Sequence, residues 1–537
     1  MLKINKYWMI TILFLLCFNY QIYPQTQSDY ALVKTKFTNS PEIWEINKSL
    51  TNNELGVDLF NYPKSGFIAF DVGSSGTLYS TLIAVLDPFW HRIVYADMMK
   101  DDIKALGSYG TGTGQFRHPS SIVGHVLSDG SSTLFTTVQY DVYIADTYND
   151  RVHRATYQNV TNNMSFQNVI SGNEIIGPID IAIDNGFTYD QYLDDQIWIL
   201  NRNGTLVKFT YNGNYVHNII LPQNCIASAI AHPPNVTQWK TIYVSDTANN
   251  MIYRYFYYPP SDSYELIDEV QTSYKIIELT IDKRGHVWAM DGHQSTILKY
   301  TDDLEPLCKF GSIGTGNNQF LEPTSMTITA GAYNSGDVFI TEKWTNTSGM
   351  QRYGIGTDIL GISVTYDPDW ACHNIEYTLA DISVTDVNIY NDLGVKVKSL
   401  IAPATLTTGY HLHFWDGTDD SMNFVPSGQY TYSIHAISTY SYSGVPTADV
   451  IRTGSFYHEA ECCIGIRGNV DGDPDEIIDI SDQVYMVDYQ FRGGPEPECL
   501  KEADLNLDGI IDIEDLVMLL DYVFHGGAEP LDCIIGY

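Results

Sequence analysis

Positive charge is scarce in this chain. Lys and Arg number 29 against 65 Asp and Glu, a formal net charge of −36 over 537 residues. A phosphate backbone would repel such a chain, so nucleic acid is excluded as a partner, and anionic lipid with it. Long apolar runs are equally rare. Tyr7–Phe18 (YWMITILFLLCF) spans 12 residues, short for crossing a bilayer. It follows Lys3 and Lys6 and precedes the polar stretch NYQIYPQTQ, so residues 1–25 read as a signal peptide. Leu16 stands before Cys17 where a lipoprotein signal has a small residue, which argues against a lipid anchor. No second long apolar run follows, so no transmembrane anchor is expected and the protein is placed outside the cell or on its surface. There are only eight cysteines and no C-x-x-C pair, so zinc and redox motifs are unsupported. H-E-x-x-H and G-x-S-x-G are missing too. The histidines share no recurring position. No catalytic and no cofactor-binding residue is assigned.

What the chain does have is alternation. Hydrophobic residues make up 44% and charged residues 18%, with 39 tyrosines, a composition that favours β structure. DVYIADTYNDRVHRATY (141–157) and TIYVSDTANNMIYRYFY (241–257) each read as strand, Asp-Thr turn, strand. Related segments turn at Asp87, Asn201, Asp291 and Glu342. The spacings from Asp87 through Asp146, Asn201, Asp246 and Asp291 to Glu342 are 59, 55, 45, 45 and 51 residues. That is about the length of one four-stranded propeller blade, and six turns predict a six-bladed ring over 30–358. The Asp side chains are expected to cap these turns.

Two linkers match as well, GSYGTGTGQFRHPSSIVG (107–124) and GSIGTGNNQFLEPTSMTI (311–328). A phosphate-binding loop would open a helix. Here a proline and an alternating strand follow, so these are blade-linking turns. The pattern G-x-G-x-G-Q-F-x-x-P followed by IADTYNDRV resembles NHL repeats. The resemblance implies a β-propeller used as a recognition platform, though some relatives are enzymes.

Residues 362–458 read as a small β-sandwich. The series IYNDLGVKVKSL, GYHLHFWDGTDD and VPSGQYTYSI resembles the Ig-like domain of flagellar hook-capping proteins, with Gly409, Trp415, Asp416, Gly417, Pro426, Gly428 and Tyr430 in the expected order. The roles this implies are structural, Trp415 filling the core.

The tail, 462–537, carries the most specific signal. In DLNLDGIIDIED, Asp504, Asn506, Asp508, Asp512 and Asp515 occupy loop positions 1, 3, 5, 9 and 12, with Gly509 at 6 and the Ile510 carbonyl at 7. Calcium takes six to eight oxygens and is served by such a schedule. IIDISDQVYMVDYQFRGG (477–494) repeats as IIDIEDLVMLLDYVFHGG (510–527), an offset of 33 residues. Leu516, Leu519, Leu520 and Val523 are expected to form the apolar face of the second helix. Two loop–helix units without an entering helix resemble a type I dockerin. The resemblance implies calcium-dependent docking to a cohesin-type protein and a second ligand set, Asn469, Asp471, Asp473, Asp479 and Asp482. It also implies partner-reading residues at Ile480, Ser481, Ile513 and Glu514. The first loop departs from the pattern, with Pro474-Asp475-Glu476 in place of a lone glycine. Cys462 or Cys463 is expected to pair with Cys533 and clasp the ends of the module.

The chain is therefore expected to be mostly β, a six-bladed propeller followed by an Ig-like β-sandwich and a small α-helical calcium-binding dockerin-like module. It reads as a secreted, non-catalytic recognition protein whose propeller binds protein or glycan. Two alternatives stand beside this. The chain could be a dockerin-bearing polysaccharide-degrading or lyase enzyme with its site in the propeller, or the tail could be a structural element for secretion or surface attachment.

Overall fold

The computed structural model describes residues 26–28, 32–34, 63–72, 78–97, 102–126, 139–158, 161–184, 196–233, 240–261, 263–315, 318–328, 337–343, 349–368, 370–440, 448–460, 462–463, 467–473, 477–531 and 533. The signal segment, Cys17 and the Pro474–Glu476 insertion lie outside them. The described part is mostly strand with a small helical portion at the C-terminal end. It falls into two compact units, residues up to Leu360 with Ser438–Ala448, and Gly361–Ile437 with Asp449 onward.

The first unit contains six four-stranded antiparallel sheets. Their first strands are Gly66–Val72, Pro119–Val126, Pro178–Asp184, Ala227–Ala231, Ile276–Ile281 and Pro323–Ile328. Each packs on the next and the last packs on the first, a propeller-type cycle. Alternation explains the arrangement. Val142, Ile144, Ile197, Ile199, Ile242 and Val244 on second strands are fully buried between neighbouring sheets, since a strand covered on both faces has no solvent side to leave polar. The sixth sheet takes its outer strand from the start of the chain. Leu32–Lys34 pairs antiparallel with Ile355–Tyr353. Just before it, Thr26 and Ser28 bond to the backbone of Lys309 on the fifth sheet. This pairing covers an edge that would otherwise be open to other chains.

The second unit has a three-stranded sheet (Ile359–Asp367, Cys372–Leu379, Gly409–Trp415) and a four-stranded one (Lys396–Leu406, Ser383–Tyr390, Gly428–Ser438, Asp449–His458). Trp415 is fully buried. Its ring packs on His458 at 4.7 Å and Tyr430 at 5.0 Å, and its Nε1 donates to the Thr418 carbonyl at 2.9 Å.

The tail places its helices at Ile480–Val487 and Ile513–His525, with a short turn of helix at Leu500–Ala503 between them. Their shared core is Val470, Met486, Ala503, Leu505, Leu516 and Leu519. A core of that size needs staples. Cys463–Cys533 joins the ends of the module, as expected, and Cys462–Cys499 ties its start to the middle. Leu520 departs from the expected face, being 40% exposed.

The paired N-terminal strand generates a prediction. A chain lacking residues 1–34 should melt about 5 °C or more below the mature protein and should self-associate through the bared Gly349–Ile355 edge. Calorimetry with light scattering measures both, and an unchanged melting temperature would place ring closure elsewhere.

Candidate functional sites

The six turn residues sit at one equivalent place, the last residue of each second strand, and all are buried. Four of their side chains hold the linker that enters the same sheet. Backbone N–H groups of Arg117, Ile176, Ile226 and Leu321 donate to Asp146, Asn201, Asp246 and Glu342 at 2.7–3.0 Å. Asp146 also accepts from Arg151 Nε at 2.8 Å and Asn149 Nδ2 at 2.7 Å. Arg151 reaches on to the carbonyls of Thr111, Gly112 and Gln115 in the glycine-rich linker. Gly107 and Gly311 begin the two matching linkers at φ +115° and +89°, and a Cβ at either would strike the ring of Phe116 or Phe320 at 2.6 Å. These residues are structural, as their turn chemistry implies.

A second repeated position escapes the sequence patterns. In five of the first strands the register shifts between the first residue and the third. The third residues are Ser121, Asp180, Ala229, Glu278 and Ser325, and Ser65 holds the same place in the first sheet. All of them but Ala229 line a cavity of about 140 Å³ on the ring axis. Asp180 accepts from Ser121 Oγ at 2.8 Å, Ile181 N at 2.9 Å and Ile230 N at 2.7 Å, bridging three neighbouring sheets. Ser65 Oγ plays the same part toward the Ile122 N–H at 3.1 Å. Burial pushes the Asp180 carboxyl up to about 6, although those hydrogen bonds and Lys64 pull it down. Glu278 is also raised, by desolvation in the channel and then by the charge of Asp180. Lys64 is exposed as a residue, but desolvation of its amine lowers its pKa. Asp180 and Glu278 act to raise it, and Arg202 lowers it further. Paired carboxylates of this kind mark a candidate site.

In the tail, both loops run into capping boxes. Asp479 caps the first helix with Asp482 reaching back, and Asp512 caps the second with Asp515 reaching back. Asp515 is fully buried. It accepts from Leu505 N at 2.8 Å, Asn506 N at 3.1 Å and Asp512 N at 2.9 Å. Asp504 takes Gly509 N on Oδ2 at 3.1 Å, while its Oδ1 is buried with no hydrogen-bond partner. Asp508 accepts from Ile510 N and donates its own N–H to Asn506 Oδ1. In the first loop Asp473 donates its N–H to Asn469 and Asp471, and Asp471 donates its own to Asp482. Burial raises the Asp482 carboxyl, with the Asp471 charge adding to it against backbone bonds from Asp479, Asp471 and Val470. Each loop thus gathers its oxygens around its own helix start. Among the described residues, no three carboxylates of either loop come within 4.8 Å of one another. Cys463, Glu502 and Cys533 do converge, but the two sulfurs are bonded to each other.

Ile480, Ser481, Ile513 and Glu514 are all exposed. They begin a pattern the sequence comparison left unused. Ile480, Val484 and Phe491 repeat 33 residues later as Ile513, Val517 and Phe524, and each of the six is 54–59% exposed. The amides of Gln483 and Gln490 bond to the Leu519 and Asp512 carbonyls at 3.3 and 2.7 Å, fixing the two helices together. Among the described residues no helix is long and apolar enough to cross a membrane.

No family model and no curated protein matches this chain. Solved structures with some likeness include a gluconolactonase from Xanthomonas campestris, 11% identical over 62% of this chain and 97% of that one, TM-score 0.34. A calcium-binding regucalcin from Agrobacterium tumefaciens is 12% identical over 55% and 90%, TM-score 0.35. A luciferin-regenerating enzyme is 11% identical over 55% and 92%, TM-score 0.28. Nothing about this chain's chemistry follows from likenesses of that size.

The axial pair gives a pH signature. A carboxyl whose folded pKa is raised favours folding below its unfolded value, and loses that contribution as pH rises through the folded one. Asp180→Asn should therefore become more favourable relative to the parent between about pH 4 and 6. Urea midpoints of both proteins across that window test this, and a constant difference would refute it.

Proposed function

We propose that this is an exported modular recognition protein. The ring is a six-bladed, NHL-type propeller that binds a protein or glycan. The two-sheet module is Ig-like and structural. The tail is a dockerin-like module that docks to a cohesin-type partner in calcium. The observation that carries this reading is the duplicated apolar stripe. Six apolar side chains on two helices and the π-helical turn Asp488–Arg492 that continues the first, related by one sequence repeat, are left in water by a module whose core lies elsewhere. Patches of this kind mark protein-binding surfaces.

The donor set fits calcium. The loops offer carboxylate and amide oxygens only, a hard set for a hard cation, and Asp504 Oδ1 is buried without a partner. Asp504, Asn506, Asp508, Asp512, Asp515 and the Ile510 carbonyl would hold one ion. Asn469, Asp471, Asp473, Asp479 and Asp482 would hold the other. Bound calcium would supply positive charge among crowded carboxylates, and the capping aspartates would carry that order into the helices.

A second reading has one observation in its favour, the Asp180 and Glu278 carboxylates on the ring axis. A carboxylate pair with raised pKa values is the equipment of a general acid and base, so a glycan-active hydrolase or lyase would place its chemistry there. Turnover on a glycan panel, abolished by Glu278→Gln, would establish it.

The docking reading is tested on the mature chain with a panel of cohesin modules. Binding should require calcium and fall at least tenfold in Ile513→Asp/Val517→Asp, with calcium affinity kept. Asp504→Ala should lower calcium affinity itself. Calcium uptake with no cohesin bound would make the tail a structural attachment element instead.

A further inference from the structure

A pocket on the ring, lined by Lys64, Phe89, His118, Tyr148, Ile179 and Arg202, has a volume of about 360 Å³. Lys64, Ser120 and Ile179 in its wall each immediately precede the channel residues Ser65, Ser121 and Asp180. The pocket therefore lies at that end of the channel, on the face where the second strands turn. Three features separate it from an ordinary rim depression. Its walls are rings, and the rings continue beyond it. Phe89 meets Trp90 edge-on at 5.3 Å, His118 packs on Tyr148 at 5.1 Å and on His91 at 5.2 Å, and His91 packs on Tyr109 at 4.9 Å. Phe89, Trp90, Tyr109 and Tyr148 are all exposed, and the turns of two sheets and the linker between them hold them there. The pocket also holds two cations. The Arg202 guanidinium lies over the Tyr148 ring at 4.3 Å, and neither it nor Lys64 forms an ion pair with a described residue. Asp180 and Glu278 offset part of the Lys64 charge from the channel side, which leaves Arg202 as the freer of the two. Finally, this positive spot sits on a chain of net charge −36, where two facing cations stand out as a site for an anion.

We propose that this pocket binds a carboxylate-bearing sugar, a uronate residue of an acidic polysaccharide. The argument rests on the reading of the ring as a recognition platform and names the class of ligand. Flat, polar-edged rings such as Tyr148 and His118 suit the C–H face of a pyranose and cost little conformational entropy. Arg202, its plane fixed by Tyr148, presents a fork to a carboxylate, and Lys64 adds a point charge from the other wall. The run of rings through His91 to Tyr109 offers adjoining places for further units of the same chain. An acidic peptide shares the charge but not the flat C–H face of a pyranose that the rings suit, and the test below separates the two.

The test is calorimetric, with the full mature chain. Tetragalacturonate should bind, with affinity falling as salt rises. Its fully methyl-esterified form keeps the rings and loses the charge, and should bind at least about tenfold more weakly. Arg202→Ala and Tyr148→Ala should each lose about tenfold with an unchanged melting temperature, and Arg202→Lys should recover only part. Equal affinity for the esterified tetramer, or preference for a tetraglutamate peptide, would overturn the proposal and leave ring recognition standing. Binding of no glycan and no peptide of any charge would remove recognition by the ring as well.

Discussion

A buried side chain at one position of each sheet organises the first unit. Asp87, Asp146, Asn201, Asp246, Asp291 and Glu342 end the second strands. Four of them visibly capture the linker that enters their own sheet, through its backbone N–H. A backbone N–H buried without a partner is costly, and one given to a carboxylate is held more firmly than one given to a neutral group. The consequence reaches past stability. By fixing those four linkers, these residues fix where their first strands begin, and so where the third residues of those strands stand. They also fix the turns that carry Phe89, Tyr148 and Arg202. The face proposed to bind ligand is made of loops, but its coordinates are set by buried carboxylates and an amide.

The tail solves the same problem with less material. Its core holds few residues, and two disulfides and two capping boxes take over part of the work. The aspartates that fit calcium are also those that start the helices. With calcium bound as proposed, helix order, loop order and cation binding would be one equilibrium, and the ion would stabilise the module by mass action. The exposed stripe then follows from helix geometry. With Leu516 and Leu519 turned to the core, Ile513, Val517 and Leu520 fall on the other side.

Much of this was legible in the residues. The turn residues repeat in type and their neighbours alternate, so a mostly β, repeated architecture is legible in the residues. The loop–helix units of the tail were legible for the same reason, as was a clasp to Cys533. Three things were hidden. Ser65, Ser121, Asp180, Ala229, Glu278 and Ser325 share a position but no chemistry, and a register shift sets five of the six, which a period-two pattern conceals. The strand Leu32–Lys34 is three residues long, too short for any periodicity to show. Leu520 looked like core because it lies one step from Leu519, and only the packed helix shows which side of the stripe it takes.

The axial carboxylates remain the strongest argument against a purely passive ring, and their bonding weighs on how to read them. A general acid or base must offer a free oxygen to its substrate. Asp180 commits both oxygens to Ser121, Ile181 and Ile230, which belong to three successive sheets. Ser65 makes the equivalent stitch to Ile122 with a hydroxyl, so the position is a structural one that accepts either chemistry. Glu278 is raised well above the usual carboxylate range, first by desolvation and then by the charge of Asp180, although hydrogen bonds from Ser325 and the Leu279 backbone pull it down. Desolvation and a fixed neighbouring carboxylate would leave Glu278 holding a proton where an exposed glutamate has lost it. On this account Asp180 is the stitch that sets the field and Glu278 the group that feels it. Chemistry in the channel would fall to Glu278 before Asp180, whose two oxygens are both taken up in joining sheets.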